Sequence, residues 1–301
     1  MSRHVHASVA SRGIRALVAV AAALALAGCA MGPAPRATPD GTPAGTPAGT
    51  PEGAPAPSSS AVLIASPPVA GAPDYQLGGA YEPATEVQIV ARDRTDPPVG
   101  RLYSICYVNA FQTQPGEAAD WPADLLLRDA AGEFVVDPDW PDEVIVDTRD
   151  AEAVAAVVSP WIEGCARDGF DAVEFDNLDT YTRTDGALSR EDNLAVAGLL
   201  VRAAHRAGLA AGQKNAAEDA ALLRSEAAFD FAVTEECAAY DECSAYTDVY
   251  GDAVIGIEYT DNLPAPFAEV CASPERPASL VLRDRDLTVP GDPAYVFELC
   301  H

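Results

Sequence analysis

The feature that most restricts the fold is a repeated alternation between short apolar runs of β type and longer stretches with helical periodicity. Eight such runs follow one another, at Val87–Val90, Leu102–Val108, Val144–Val146, Ala172–Phe175, Leu209–Ala211, Phe231–Val233, Val254–Ile257 and Leu280–Leu282. Each is short enough for a strand and rich in β-branched or aromatic residues, which predicts eight strands.

Amphipathic stretches separate several of these runs, at Ala151–Arg167, Arg190–Ala207 and Ala216–Ala227. Ser189 is placed to cap the start of the second stretch, and Gly208 to cap its end. Alternation of β and α elements predicts a parallel sheet covered by helices, and eight repeats predict a closed (β/α)8 TIM barrel in a single α/β domain. An open doubly wound sheet is the alternative, although no GxGxxG motif follows the first run.

Polar residues follow all eight runs, and this pattern favours an active site. One residue of each cluster is enough to mark the positions, namely Asp93, Asn109, Asp147, Asp176, Lys214, Glu235, Glu258 and Asp284. Barrel enzymes carry their chemistry at the carboxyl ends of the strands, because the loops that follow the strands converge over one face.

The N-terminus has the order of charges and apolar residues that is typical of an export signal. Arg3, Arg12 and Arg15 precede or begin the apolar run Ala16–Ala27, which is too short to span a bilayer comfortably. The run ends in Leu-Ala-Gly before Cys29, as in a bacterial lipobox. Residues 1–28 are therefore predicted to be a lipoprotein signal peptide, and lipidated Cys29 to anchor the exported protein to the membrane. A plain signal peptide with an incidental cysteine is the alternative, and a transmembrane anchor is less favoured.

Residues 29–73 form a segment rich in Pro, Gly, Thr, Ala and Ser with little apolar surface to bury. A segment of this composition cannot offset its own ordering entropy, so it is predicted to be a disordered, flexible stalk. The folded domain is predicted to comprise residues 74–301.

Cysteine and histidine usage restricts the chemistry. Six cysteines follow Cys29, at positions 106, 165, 237, 243, 271 and 300, and an even number in an exported chain fits disulfides. Cys237 and Cys243 are the closest pair in the sequence and the favoured bridge. His205 is the only histidine inside the domain before terminal His301, which argues against a zinc hydrolase and against a Ser-His-Asp triad. Neither a metal nor an organic cofactor is predicted.

The formal charge of −27 is strongly acidic. Such a surface repels nucleic acid and attracts cations, so the favoured partner is a cationic polymer, with a merely solvated acidic exterior as the alternative. Lys214 is the only lysine, among eighteen arginines. A compact ammonium group at a strand end suits pairing with active-site carboxylates, whereas an incidental surface lysine is the other reading.

The run from Gly169 to Tyr181 (GFDAVEFDNLDTY) resembles the endo-α-1,4-polygalactosaminidases of glycoside hydrolase family 114. Further segments match in order, at Tyr75–Leu77, Ile105–Tyr107, Trp140–Glu143, Ala204–Leu209, Lys214–Asn215, Glu235–Cys237 and Ile257–Tyr259. The resemblance implies a barrel that hydrolyses α-1,4-linked galactosamine polymers. It also implies that Asp176 and Glu235 are the catalytic carboxylates. The chain departs from the family pattern at residues 108–114, in a loop expected to touch the substrate.

Glycoside hydrolysis generally needs two carboxylates. Glu235 is predicted to be the general acid/base and Asp176 the nucleophile or cation stabiliser, and Glu258 is the reserve candidate. The structural alternative for Asp176 is a loop cap or a salt bridge to Lys214, and for Glu235 it is capping of a helix after the sixth run. The other residues predicted to contact substrate are Asp93, Tyr107, Asp147, Glu174, Asn177, Asp179, Tyr181, Lys214, Asn215, Glu258 and Tyr259.

Two other functions fit the same features. One is a noncatalytic lipoprotein that binds extracellular polysaccharide, and the other is a barrel hydrolase that acts on a different glycan. A monomer is expected in every case.

Overall fold

The computed structural model describes residues 64–300. The strands are β1 (Pro73–Tyr75), β2 (Ile89–Asp93), β3 (Tyr103–Asn109), β4 (Ala172–Asp176), β5 (Ala210–Lys214), β6 (Phe231–Glu235), β7 (Val254–Tyr259), β8 (Ser279–Arg283) and β9 (Phe297–Leu299). The α-helices are α1 (Ala151–Asp168), α2 (Arg190–Ala207), α3 (Ala220–Leu222), α4 (Cys243–Tyr250) and α5 (Phe267–Ala272). 3₁₀-helical turns lie at Ala118–Asp120, Thr180–Arg183 and Ala217–Asp219, and a π-helical turn lies at Leu223–Ala227.

Strands β1 to β8 pair in chain order and all run parallel, whereas β9 adds antiparallel to β8. The first and eighth strands lie side by side, and the buried Arg283 of β8 donates to Asp74 of β1 at 3.1 Å. Arg283 also donates to the carbonyl of Tyr75. This contact joins the two ends of the sheet, and the predicted (β/α)8 TIM barrel is confirmed.

Side chains alternate between the barrel interior and the layer of helices, as they must along a strand. On β4, Val173 and Phe175 pack in the cluster that also contains residues of α1 and α2, while Ala172 packs in the interior cluster. The same alternation directs Glu174 and Asp176 inwards. The position of a residue in its strand therefore decides whether its side chain reaches the barrel mouth.

The predicted helix α2 is present with both predicted caps. The Ser189 side chain accepts from the backbone N–H of Asp192, and the Asp192 side chain accepts from the backbone N–H of Ser189, which completes a capping box. Gly208 ends the helix with φ 87°. Helix α1 is capped by Asp150 at its start and by Gly169, with φ 98°, at its end.

One predicted barrel strand is wrong and one was missed. Residues Val144–Val146 are buried, but they form isolated bridges with Gln112, Leu126 and Val136 in the long loop between β3 and α1. The first barrel strand is instead Pro73–Tyr75, which carries a charged residue in place of an apolar run. Asp74 is tolerated there because Arg283, Gln76 and Tyr81 all donate to its carboxylate.

Three disulfides stabilise the described chain. Cys237 is bonded to Cys243, the pair that the sequence favours. Cys106 of β3 is bonded to Cys165 of α1, and Cys271 of α5 to Cys300 after β9. The last two bridges connect elements far apart in the chain, so they limit the conformational freedom of the unfolded state.

The predicted signal peptide, the lipidation site at Cys29 and most of the predicted stalk lie outside the described residues. Pro73, the last residue assigned to the stalk, begins β1. Within residues 64–300, no helix combines the length and the apolar character needed to cross a bilayer.

Candidate active site

The carboxyl ends of five successive strands bring five inward-facing side chains to the same cleft. They are Tyr107 of β3, Asp176 of β4, Lys214 of β5, Glu235 of β6 and Tyr259 of β7. The cleft has a volume of about 690 Å³. Its walls are the loops that follow β1, β2, β3 and β8, as expected for a barrel enzyme.

Lys214 lies at the centre of the group and is almost completely buried. Its Nζ is 2.8 Å from Glu235 Oε2 and 3.7 Å from Asp176 Oδ2. Burial alone would lower the pKa of the ammonium, but Asp176, Glu235 and Glu174 together raise that pKa well above its usual value. Lys214 is therefore a fixed positive charge that positions both carboxylates.

Each carboxylate also accepts from a tyrosine hydroxyl and from an N–H group of an asparagine. Asp176 accepts from Tyr107 Oη at 2.7 Å and from the backbone N–H of Asn177 at 2.8 Å. Glu235 accepts from Tyr259 Oη and from Asn215 Nδ2 at 3.2 Å. The two acids are consequently held in defined orientations, and both contact Lys214.

The pKa of Glu235 reflects opposing effects. Burial raises the pKa of this carboxyl. The Lys214 charge and the hydrogen bonds from Lys214, Tyr259 and Asn215 lower the pKa by more than burial raises it, so the net shift is downwards. The carboxyl is therefore ionised at neutral pH in the free protein.

The asparagines that follow Asp176 and Lys214 also shape the backbone. Asn177 and Asn215 have φ values of 62° and 51°, in the left-handed region that asparagine tolerates better than most residues. This conformation turns the chain sharply at the strand end, so that the Asn177 amide reaches Asn109 and the Asn215 amide reaches Glu235.

Glu174 lies two residues before Asp176 on the same face of β4, and therefore deeper in the barrel. It is completely buried, and neither of its carboxylate oxygens has a hydrogen-bond partner among the described residues. Burial raises its pKa to about 8, and nearby Lys214 limits the rise. Glu174 is thus a buried acid below the site and does not line the cleft.

The raised pKa of Glu174 makes a prediction about stability. The unfolded chain releases this proton near the ordinary glutamate pKa, whereas the folded protein keeps it up to about pH 8. The stability that protonated Glu174 gives the folded state is therefore lost as the pH rises between these two pKa values. Between pH 5.5 and 8.5 we expect the free energy of unfolding to fall by roughly 3 kcal/mol more in the wild type than in Glu174→Gln. Denaturant titrations of the oxidised protein at both pH values measure this difference. Glu163→Gln, on the exposed face of α1, is the matched control and should parallel the wild type; identical behaviour of Glu174→Gln would contradict the prediction.

Six of the eleven residues predicted to contact substrate line the cleft, namely Asp93, Tyr107, Asn177, Lys214, Asn215 and Tyr259. Five do not, and each has a structural reason. Glu174 is too deep, and Glu258 faces away from the barrel interior because it neighbours inward-facing Tyr259; its carboxylate accepts from the backbone N–H of Ala238. This placement excludes Glu258 as the reserve catalytic acid.

The other three corrected residues form ion pairs or hydrogen bonds elsewhere. Asp147 follows the misassigned strand and pairs with Arg149. Asp179 pairs with Arg183, and the Tyr181 hydroxyl donates to Asp219.

Several cleft residues were not predicted as site residues. Glu143 and Trp140 come from the β3–α1 loop, and Gln112 and Gln114 come from the part of that loop nearest β3. Arg285 follows β8, stacks over the Tyr259 ring at 4.4 Å and pairs with Glu236. The Trp140–Glu143 motif was a signal for the first two, since it formed part of the family resemblance.

Glu143 is the most notable of these residues. Its Oε2 accepts from Gln112 Nε2 at 2.6 Å and from Asn109 Nδ2 at 3.1 Å. Burial raises its pKa, the two amide hydrogen bonds oppose the rise, and the charge of Asp176 adds to it.

Potential metal ligands converge at one place in the described chain, where Cys237, Cys243 and Glu258 lie close together. Both sulfur atoms are already joined in a disulfide, so this group offers a metal only one carboxylate.

The family model of glycoside hydrolase family GH114 matches residues 53–301. The chain belongs to family GH114. It is therefore a glycoside hydrolase, and the carboxylate pair in the cleft is consistent with that chemistry.

Solved structures support the fold. The Aspergillus fumigatus Ega3 complex with galactosamine is 20% identical, covers 81% of this chain and 100% of its own, and has a TM-score of 0.64. The glycoside hydrolase domain of PelA from Pseudomonas aeruginosa is 15% identical, covers 76% of this chain and 98% of its own, and has a TM-score of 0.52. The sequence has no match among curated proteins.

Proposed function

We propose that this GH114 member hydrolyses α-1,4-linked, galactosamine-containing polysaccharide with Asp176 and Glu235 as its two catalytic carboxylates. The observation that carries the proposal is that both acids contact the same buried Lys214, at the mouth of a cleft large enough for sugar residues. The substrate is inferred from the polygalactosaminidase motifs and from the likeness to Ega3, which was solved with galactosamine.

The proposed reaction has two steps. Glu235 protonates the glycosidic oxygen while Asp176 attacks C1, so the C1–O bond breaks and an ester between Asp176 and the sugar forms. Glu235 then takes a proton from water, the water oxygen attacks C1, and the ester bond breaks to release Asp176. Each carboxylate ends in its starting protonation state.

We propose that the reaction retains the anomeric configuration. Asp176 Oδ2 and Glu235 Oε2 both contact Lys214 Nζ, so these oxygens lie within about 6.5 Å of each other, on the short side of the separations expected for inverting enzymes. The double displacement through Asp176 is therefore favoured.

Incubation with a de-N-acetylated α-1,4-galactosamine polymer is expected to release new reducing ends, and neutral glycans are expected to release few. The first-formed product, followed by proton NMR before mutarotation, should have the α configuration. A β product would contradict the double displacement. Binding without reducing ends would favour a noncatalytic polysaccharide-binding protein, and cleavage of another glycan alone would favour the other barrel hydrolase.

We further propose that residues 1–28 are a lipoprotein signal peptide and that the stalk predicted to follow them ends before strand β1, where the catalytic domain begins. The protein would then be exported as a monomer, with lipidated Cys29 as its only membrane anchor and a cationic polysaccharide as its partner. Cys29→Ser is expected to move the exported protein from the membrane fraction to the soluble fraction. Retention of the variant in the membrane fraction would contradict lipid anchoring at Cys29.

A further inference from the structure

Glu143 differs from Glu235 and Glu236, because its hydrogen-bond partners are neutral. Glu235 is paired with Lys214, and Glu236 is paired with Arg285. Glu143 instead accepts only from the side-chain amides of Gln112 and Asn109, through Oε2. Within residues 64–300 it forms no ion pair with arginine or lysine, and its Oε1 accepts no hydrogen bond. The negative charge of Glu143 is thus available at the wall of the cleft.

A continuous set of hydrogen bonds places Glu143 beside Asp176. Glu143 accepts from Asn109 Nδ2, and Asn109 Oδ1 accepts from Asn177 Nδ2 at 3.0 Å. The backbone N–H of Asn177 donates to Asp176 Oδ1 at 2.8 Å. Lys214, Glu235 and Tyr259 belong to β5, β6 and β7, which follow β4 on the side away from β3 and Asn109. Glu143 therefore borders the part of the cleft next to the proposed nucleophile and away from the proposed acid.

A side chain beside the nucleophile is placed to contact the group on C2 of the sugar. When Asp176 is directed at C1, the neighbouring ring carbon is C2, which carries a hydroxyl or an amino group. Contacts to the group on C2 strengthen in the transition state of glycosidases. In a galactosamine unit the substituent is an ammonium group, which is a pure donor with a positive charge. An ionised carboxylate is a pure acceptor, so the two are complementary. An N-acetylated unit carries no charge there, keeps only one N–H donor and adds a carbonyl oxygen that cannot bond to a carboxylate.

We propose that Glu143 recognises the C2 ammonium group of the sugar bound at Asp176 and selects de-N-acetylated galactosamine over its N-acetylated form. Gln112 and Asn109 hold the carboxylate in place through Oε2 and leave Oε1 for the substrate. The inference rests on the proposed function, because it assigns the residue that reads the amino group of the same substrate.

The test compares Glu143→Gln with the wild type on two defined oligosaccharides, one of α-1,4-galactosamine and one of its N-acetylated counterpart. The variant keeps a side-chain carbonyl that can accept from Gln112 and Asn109, but it loses the charge. We expect kcat/KM on the galactosamine substrate to fall about 10- to 100-fold, as for the loss of a charge-assisted hydrogen bond, and kcat/KM on the N-acetylated substrate to change less than about threefold. Equal losses on both substrates would show a merely structural role and overturn the proposal.

Asp93→Asn is the matched control. It removes the same charge from the same cleft, where Asp93 also accepts from a glutamine, at 2.8 Å from Gln114 Nε2. We expect Asp93→Asn to change the ratio of kcat/KM for the two substrates by less than about threefold, since the general potential of the cleft is screened by salt. A ratio change equal to that of Glu143→Gln would show that any cleft charge is sufficient and would also overturn the proposal.

Binding measurements separate this inference from the proposed function. In the Glu235→Gln background, calorimetry of the intact galactosamine oligosaccharide is expected to show about 10-fold weaker binding when Glu143→Gln is added, with no such change for the N-acetylated oligosaccharide. This result would support the inference even if the wild type hydrolysed neither compound, an outcome that would reject the proposed function alone. Unchanged binding of the galactosamine oligosaccharide would reject the inference alone.

Discussion

Asp176→Asn is expected to lower kcat/KM on the galactosamine polymer by at least about 10³-fold, because the variant lacks the nucleophile of the first step. The fold should persist, since the asparagine carbonyl can still accept from the Asn177 backbone N–H and its NH2 group can donate to the Tyr107 hydroxyl oxygen. Azide is expected to restore turnover with an activated α-galactosaminide substrate. It would occupy the space left by the carboxylate, attack C1 as the leaving oxygen departs, and yield the β-glycosyl azide.

Asp179→Asn is the matched control for this prediction. Asp179 lies three residues from Asp176 in the same motif, but it pairs with Arg183 outside the cleft. We expect its kcat/KM to remain within about tenfold of the wild type. An Asp176→Asn variant that kept most of its activity, or that gave the α-glycosyl azide, would remove Asp176 from the role of nucleophile.

Lys214→Met is expected to produce the second large effect, on both stability and activity. The substitution leaves Asp176, Glu235 and Glu174 around an apolar side chain, and removal of one partner from a buried ion pair typically costs about 3–5 kcal/mol. The loss should be smaller at pH 5 than at pH 8, because protonated carboxyls do not need the cation. Thermal or denaturant unfolding at the two pH values measures the difference.

The pH dependence of activity gives a second readout for Lys214. Lys214 lowers the pKa of Glu235, so protonation of the proposed acid requires acidic solution, and kcat/KM of the wild type is expected to rise as the pH falls from 7 to 5. In Lys214→Met the pKa of Glu235 rises, so the alkaline limb of the residual activity should move to higher pH.

Two further variants test the cause of the Lys214 effect. Lys214→Arg keeps the charge and should retain more stability than Lys214→Met. Addition of Glu174→Gln to Lys214→Met should recover part of the lost stability, because it removes one of the unpaired acids. An unshifted pH profile in Lys214→Met, together with wild-type stability, would contradict the central position of this lysine.

The strand pattern predicted most of the residues in the cleft, because side chains point alternately to the two faces along every strand. Asp176, Lys214, Glu235 and Tyr259 each end a strand and share the inward-facing set, so their convergence follows once the barrel is accepted. The same rule, applied to Glu258, places it on the outer face, next to inward-facing Tyr259. The prediction failed there because the end of the strand was considered without the direction of its side chains.

Two errors have a different origin, since they depend on contacts distant in the sequence. The three-residue strand β1 contains Asp74, and the charge that pairs with it in the buried strand is that of Arg283, more than 200 residues later. Conversely, Val144–Val146 has the composition of a core strand, but it is buried by bridges within a loop. Local hydrophobicity cannot distinguish these two forms of burial.

Glu143 could not be assigned a role from the sequence for the same reason. Its position depends on the bridge between Gln112 and Ile145, which brings two distant parts of the β3–α1 loop together. Lys214 was easier to identify, because a single lysine in an arginine-rich chain is visible without any structure.

Trapping of the covalent intermediate tests the central claim most directly. In Glu235→Gln, an activated α-galactosaminide whose leaving group needs no protonation is expected to glycosylate Asp176, and hydrolysis of the ester should be slow because the base is missing. Intact-protein mass spectrometry should then show the addition of one glycosyl unit, and peptide mapping should locate it on Asp176. The absence of an adduct, or an adduct on any other residue, would contradict the assignment of Asp176 and Glu235 as nucleophile and acid/base across one linkage.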